Sequence, residues 1–394
     1  MQFNGLSRFC RAVTLTLLLA IVLPPGALAG HQKSAVLPLS EALAQAAGPT
    51  RAPGPEEKRP EAREVTFPGH QVKLAGTILT PARKSNATRL PAALIVGEMA
   101  TTTRDEIAVG TVAHPVYRDL AVSLADGGIV SLRFDRRCRG ASECKAIASY
   151  DDYIDDIHGA LRFLQAQPEV DPARIVLIGH GEGGYLVTSL ISQRDDLKTG
   201  LIVIGMSGRT IGKMLRDEFS GRMTEAGRPP AEINAVLRKT ERITRALLYN
   251  RSELLNEKFD ERDPYDSVLR GLLTEMPRTV SLMVNDPLQA LIAVRNPILI
   301  LQGEKDLEVT LRDSGFLEES LKRTYHPDFT VKTLAEMDHL LMVNREKATY
   351  ASYLGSTRPT DPQLLSAINQ WIASRYAATG RSPGRSSGKS PAKR

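Results

Sequence analysis

The chain has 394 residues, 42% of them hydrophobic and 5% aromatic, with a formal net charge of +6. That is apolar content enough for one large domain or two ordinary ones. The excess positive charge sits at the ends, on Arg8 and Arg11 and on Arg381, Arg385, Lys389, Lys393 and Arg394; without them the remainder carries −1, so no basic nucleic-acid-binding face is implied.

In chain order, Arg8 and Arg11 precede an apolar run from Ala12 to Leu23, then Pro24-Pro25-Gly26 and Ala27-Leu28-Ala29. A basic start, a short apolar stretch and an A-x-A site predict a cleavable secretory signal over 1–29. The run is short for a comfortable bilayer span, so the expected location is periplasmic or secreted, with an uncleaved anchor as the alternative. Residues 30–61, rich in Ala, Pro and Gly, read as a linker.

A domain is expected over 62–376. EVTFPGHQVKLAGTILTP alternates apolar and polar residues across a Pro-Gly turn and predicts an antiparallel hairpin. Short apolar runs follow at Ala92 to Val96, Ile129 to Phe134, Ile175 to Ile178, Leu201 to Ile204 and Ile298 to Leu301. Bounded by turn residues, they suit a buried parallel sheet. Ile154, Ile157, Leu161 and Leu164 share one helical face after Asp151-Asp152, which favour a helix N-terminus. Phe329 to Leu334 reads as the last strand, and Leu364 to Tyr376 as a closing helix. The whole is α/β, with helices on both faces of a mostly parallel sheet. Residues 209–290 lack a convincing strand and read as a helical cap inserted between sheet strands. The basic, Ser/Gly/Pro-rich tail at 377–394 is expected to be disordered; it suits contact with anionic surfaces, or solubility alone.

Cys10 lies within the signal. Cys138 and Cys144, in RRCRGASEC, fit a local disulfide in an oxidising compartment, with two free thiols as the alternative. No further Cys or His lies near enough in sequence to make a metal site with them.

The segment Gly179-His180-Gly181-Glu182-Gly183-Gly184 fits two motifs. As G-x-G-x-x-G it is a phosphate-cradling turn for a dinucleotide, but that motif normally opens the first βαβ unit and is followed by an acid at the end of the next strand. Here it follows several strands, and the next one ends in Gly205-Met206-Ser207. Ser207 and Arg209 keep a 2′-phosphate, and hence NADP, as an alternative. As G-x-S-x-G it is a nucleophile elbow with glycine in the nucleophile's place, and such an elbow needs an acid and then a histidine after later strands. PILILQG leads into Glu304-Lys305-Asp306, and the last strand leads into Met337-Asp338-His339.

IVLIGHGEGG resembles the IGHSEGG elbow of bacterial α/β-hydrolase esterases, related to the prolyl-oligopeptidase and dienelactone-hydrolase branches. VTFPGHQVKLAGTILTP, LRFDRRCRGAS, PEVDPARI and LQGEKD are similar to the same group, over residues 63–376. The resemblance implies an α/β-hydrolase fold, Asp306 as triad acid, His339 as triad base, and the Glu182 backbone N–H as one oxyanion donor, with Gly97 offering the other. It fails at Gly181, where the family carries serine. It fails again in GEMATTTRDE, where the family's loop is of Gly-Ser-Gly type.

No nearby residue is an obvious substitute. Ser207 follows the wrong strand, Thr188 and Ser189 lie two turns into the helix, and Glu182 would have to swing inward. His180 reads as a pocket wall, and Asp338 as a rival to Asp306. Losing a serine nucleophile costs about 10⁶ in turnover in a well-studied protease, leaving roughly 10³–10⁴ over water. The expectation is therefore an exported α/β-hydrolase-fold protein with an incomplete triad, binding an ester-like small molecule or a protein partner, with no cofactor. The alternatives are an acyl hydrolase in which His339 and Asp306 activate water, and an NADP-dependent oxidoreductase. The sequence sets no oligomeric state.

Overall fold

The computed structural model describes residues 59–376, apart from 83–88, 99–102, 110–111, 146–147, 250–253, 255–256, 261, 275 and 354–357. The expected signal, nearly all of the linker and the basic tail lie outside the described residues.

The sheet begins with the expected hairpin, β1 (Glu61–Pro68) against β2 (Lys73–Thr80). β1 thus begins at Glu61, the last residue of the segment read as linker. β3 (Leu90–Val96), β6 (Val130–Phe134), β7 (Val170–His180), β8 (Gly200–Ile204), β9 (Ile298–Gly303) and β10 (Phe329–Leu334) complete it. The order is β1-β2-β6-β3-β7-β8-β9-β10, with β2 antiparallel to β6 and every later pairing parallel. β6, β8 and β9 are buried along their whole length, because helices cover both faces of the sheet. A short hairpin, β4 (Ile107–Val109) and β5 (Val112–His114), lies in the loop after β3.

On one face the helix Tyr150–Gln165 buries Ile154, Ile157, Leu161 and Leu164. Its start is fixed by Ser149, whose hydroxyl accepts the Asp152 N–H while the Asp152 carboxylate accepts the Ser149 N–H. On the other face, Val116–Asp126 and Pro362–Tyr376 pack a second apolar cluster containing Leu120, Leu124, Ile368 and Trp371.

Between β8 and β9 the described residues form helices at Ile211–Glu225, Pro230–Tyr249, Pro264–Thr274, Met276–Val284 and Pro287–Ala293. Leu215, Phe219, Ile243, Leu247, Leu269 and Leu272 form a small core of their own there. Cys138 and Cys144 are joined in a disulfide that closes the loop after β6.

Candidate active site

The carboxyl ends of the parallel strands bring the expected residues together. β7 runs to His180, the chain turns at Gly181 with φ of 54°, and the helix Glu182–Ser192 begins at once. A side chain at that φ is strained, so glycine relieves the turn. Gly183 is needed for a different reason: a Cβ there would collide with the Val96 and Gly97 carbonyl oxygens, because the helix start presses on the end of β3.

Asp306 sits in the turn after β9. Its Oδ1 accepts the Glu308 and Val309 N–H groups at 2.9 and 2.8 Å, which leaves Oδ2 aimed at His339 Nδ1, 2.9 Å away. Both residues are buried. Asp338, the sequence's other candidate partner, turns away: its carboxylate pairs with Arg358 at 2.6 Å and caps Leu340 N–H at 3.0 Å. The acid–histidine geometry is therefore that of Asp306.

The nucleophile's place is filled by something the sequence reading did not single out. The Glu98 carboxylate reaches in from the loop after β3, and a Cβ built on Gly181 would fall on its Oε2. The same oxygen accepts the Glu182 N–H at 2.9 Å, so the expected oxyanion donor already has an acceptor. The Glu98 N–H is held by the Tyr117 hydroxyl at 2.7 Å, and that hydroxyl lies 2.9 Å from His180 Nδ1. His180 is thus part of the pocket wall. The Gly97 carbonyl is turned toward Arg136 and the elbow helix.

His339 Nε2, the atom that would face a serine, instead lies 3.6 Å from Glu308 Oε2. Glu308 shares Arg222 with Glu218, at 3.7 and 2.9 Å. Burial alone would lower the His339 pKa, but Asp306 and Glu308, with Glu98, outweigh it and hold the imidazole protonated well above its ordinary value. Burial also pushes the Glu98 carboxyl up, against the pull of His339, and pushes Glu308 well up, with Glu218 adding to the effect. Burial moves His180 the other way, well below the usual histidine value, with His339 adding to the shift.

A cavity of about 100 Å³ opens on these groups. The cap closes it: Arg278, buried on helix Met276–Val284, pairs with the Glu182 side chain. Glu182 therefore points at the cap and not at the reacting position. Ser207 and Arg209 line the cavity, but Ser207 donates to Asp313 Oδ1 at 2.9 Å, and Arg209 is forked onto Asp313 and bound to Asp217. Those contacts occupy the groups that a 2′-phosphate would need. Thr188 donates to the Gly184 carbonyl at 2.7 Å; like Ser189, it is buried in the helix away from the cavity. Among the described residues, no group of three His, Cys, Asp or Glu side chains is arranged to hold a metal, and no helix is long and apolar enough to cross a membrane.

The protonated histidine has a consequence for stability. The folded chain holds a proton on His339 that the unfolded chain releases near pH 6.5. The His339 contribution to stability is thus fully present below that value and falls as pH rises through the folded pKa, by up to about 1.4 kcal/mol per pH unit. Buried histidines with lowered pKa, such as His114 and His180, act in the opposite sense, but only below about pH 6.5. The melting temperature should therefore fall between about pH 7 and about pH 9, and His339→Gln should flatten that fall. A melting temperature that holds or climbs over this range in the wild type would mean a neutral His339.

A family model described as "Serine aminopeptidase, S33" matches residues 113–346. No curated protein matches. Among solved structures the chain is similar to the α/β hydrolase GrgF from Penicillium sp. sh18, with 15% identity over 80% of this chain and 98% of that one and a TM-score of 0.52. It is also similar to an esterase from Pyrococcus furiosus, with 14% identity, 83% and 96% coverage and a TM-score of 0.51. A hypothetical protein from Pseudomonas aeruginosa matches with 18% identity, 82% and 96% coverage and a TM-score of 0.51. At these identities the likeness is one of fold.

Proposed function

Because this chain belongs to the serine aminopeptidase, S33 family and has the α/β-hydrolase fold, we propose that it is an exported, degenerate hydrolase whose pocket binds a small acyl-type ligand without forming an acyl-enzyme. The single observation that carries this reading is the Glu98 carboxylate lying over Gly181 and hydrogen-bonded to the Glu182 N–H. Acyl transfer needs a nucleophile, a neutral base and an empty oxyanion site. Position 181 has no hydroxyl, His339 is held as imidazolium, and the Glu182 donor is engaged. The same protonation argues against His339 activating water directly, since a general base must have room for a proton.

The test is steady-state assay with p-nitrophenyl butyrate together with fluorophosphonate labelling. The expected result is no specific labelling and no turnover above background. Labelling at any one serine would refute the proposal, and turnover abolished by His339→Ala would restore the water route.

A further inference from the structure

Glu98 is a ligand that the protein supplies to its own site. Its carboxylate accepts the first N–H of the elbow helix and sits in the field of the His339 imidazolium. Its side chain reaches the position from a main chain anchored at the Tyr117 hydroxyl. A second buried group faces the same space. Glu308 lines the cavity, is 8% exposed, and its Oε1 has no hydrogen-bond partner among the described residues. Burial pushes its carboxyl well up, which lessens its repulsion of an anion beside it, and Arg222 lies 3.7 Å from the same oxygen.

Charge balance selects the ligand's head group. His339 is charged because Asp306, Glu308 and Glu98 surround it. A neutral ester displacing Glu98 would strip one anion from a buried imidazolium, and an amine would set a second cation beside it. A carboxylate replaces like with like. The wall beyond the charged groups, formed by Tyr185, Ile211, Met214, Leu282 and Val309, is apolar, and a space of about 100 Å³ suits a short alkyl chain or a single ring.

We infer that the cavity binds small monocarboxylates with a short apolar tail, the ligand's carboxylate taking the place of Glu98 between the Glu182 N–H and His339, so that Glu98 acts as a built-in competitor. This rests on the proposed binding function and names its ligand class. The competitor lowers the apparent affinity by the fraction of molecules in which it has vacated the site.

The experiment is calorimetric titration of the whole protein with sodium butyrate and sodium benzoate, with butyramide as the neutral control. Glu98→Ala should bind at least one of the two carboxylates about tenfold or more tightly than the wild type, and butyramide should bind neither protein measurably. Glu98→Gln fills the same space and its amide oxygen still accepts the Glu182 N–H, so its affinity should stay near that of the wild type. The inference is overturned if Glu98→Ala, folded by circular dichroism, binds neither carboxylate, binds butyramide as well as butyrate, or binds no more tightly than the wild type. Should Glu98→Ala fail to fold, methyl NMR of the wild type and Glu98→Gln decides: saturable butyrate-induced shifts at Val309 and Met214 support the inference, and their absence overturns it. Ester turnover by the wild type would defeat the proposed function alone, because carboxylate binding is read without any reaction.

Discussion

Gly181→Ser alone should yield at most traces of esterase activity, whereas Gly181→Ser combined with Glu98→Gly should hydrolyse p-nitrophenyl butyrate at least about 10²-fold faster than either single variant. A serine Cβ at position 181 falls on Glu98 Oε2, so the single variant must push the carboxylate aside. The displaced group remains tethered beside Gly97, where it still competes for the Glu182 N–H and still favours the protonated form of His339. Removing it frees the donor, and one oxyanion donor is worth about 10²–10³ in turnover. The strain of a side chain at φ of 54° costs about 1–3 kcal/mol, which an elbow held on all sides can sustain. Asp306 still orients His339 in the double variant, and Glu308 still faces Nε2. The histidine pKa therefore stays raised, and since the base must be unprotonated, the rate should climb with pH above neutrality. Fluorophosphonate should label position 181 in the double variant. Equal activity in the single and double variants would mean that Glu98 blocks nothing; an inert double variant would mean that the rest of the machinery has been lost.

The pairing of Asp306 with His339 was legible because chain order and strand order coincide in this fold: Asp306 follows β9, a fully buried apolar run, and His339 follows β10, an alternating strand at the sheet edge. The sheet was legible for the same reason, since parallel strands covered on both faces leave continuous apolar segments. The sequence favoured Asp306 over Asp338, but what engages Asp338 elsewhere, Arg358 reaching back to it, was not legible. Glu98 was missed because its meaning lies in a contact 84 residues away, and Arg278 because its partner Glu182 is 96 residues away. A signal was nevertheless present. The chain departs from the esterase pattern twice, at Gly181 and in the loop beginning Gly97-Glu98, and the two departures meet at one point in space. Paired departures deserve to be read as one substitution, a hydroxyl lost from one segment and a carboxylate gained from another. The β4–β5 hairpin escaped notice because three-residue strands carry no measurable period.

Arg137→Met should be strongly destabilising, costing about 3–5 kcal/mol, or about 5–8 °C in melting temperature for a domain of this size. Arg137 and Asp156 form a two-pronged pair at 2.7 and 2.9 Å, with side chains only 5% and 2% exposed. The guanidinium also donates to the His70 and Asp152 carbonyls at 3.0 and 3.2 Å, and Asp156 accepts the His70 N–H at 2.7 Å. One ion pair thus ties together the β1–β2 turn, the helix Tyr150–Gln165 and the loop after β6. Removing the cation leaves Asp156 charged, buried and unmatched, and that stranded charge, more than the lost attraction, sets the cost. The claim has a signature in pH. Burial already holds the Asp156 carboxyl above its ordinary value, and loss of Arg137 raises it further. The variant's deficit should therefore shrink as pH falls and the carboxyl takes up its proton, and grow again toward neutrality. Asp156→Asn keeps an acceptor for the His70 N–H without the charge, so Arg137→Met/Asp156→Asn should be more stable at neutral pH than Arg137→Met alone. Chemical denaturation of the four proteins of this cycle, at neutral and at acidic pH, checks both points. A deficit independent of pH, or a double variant no better than Arg137→Met, would assign the loss to packing of the guanidinium stem and not to the abandoned carboxylate.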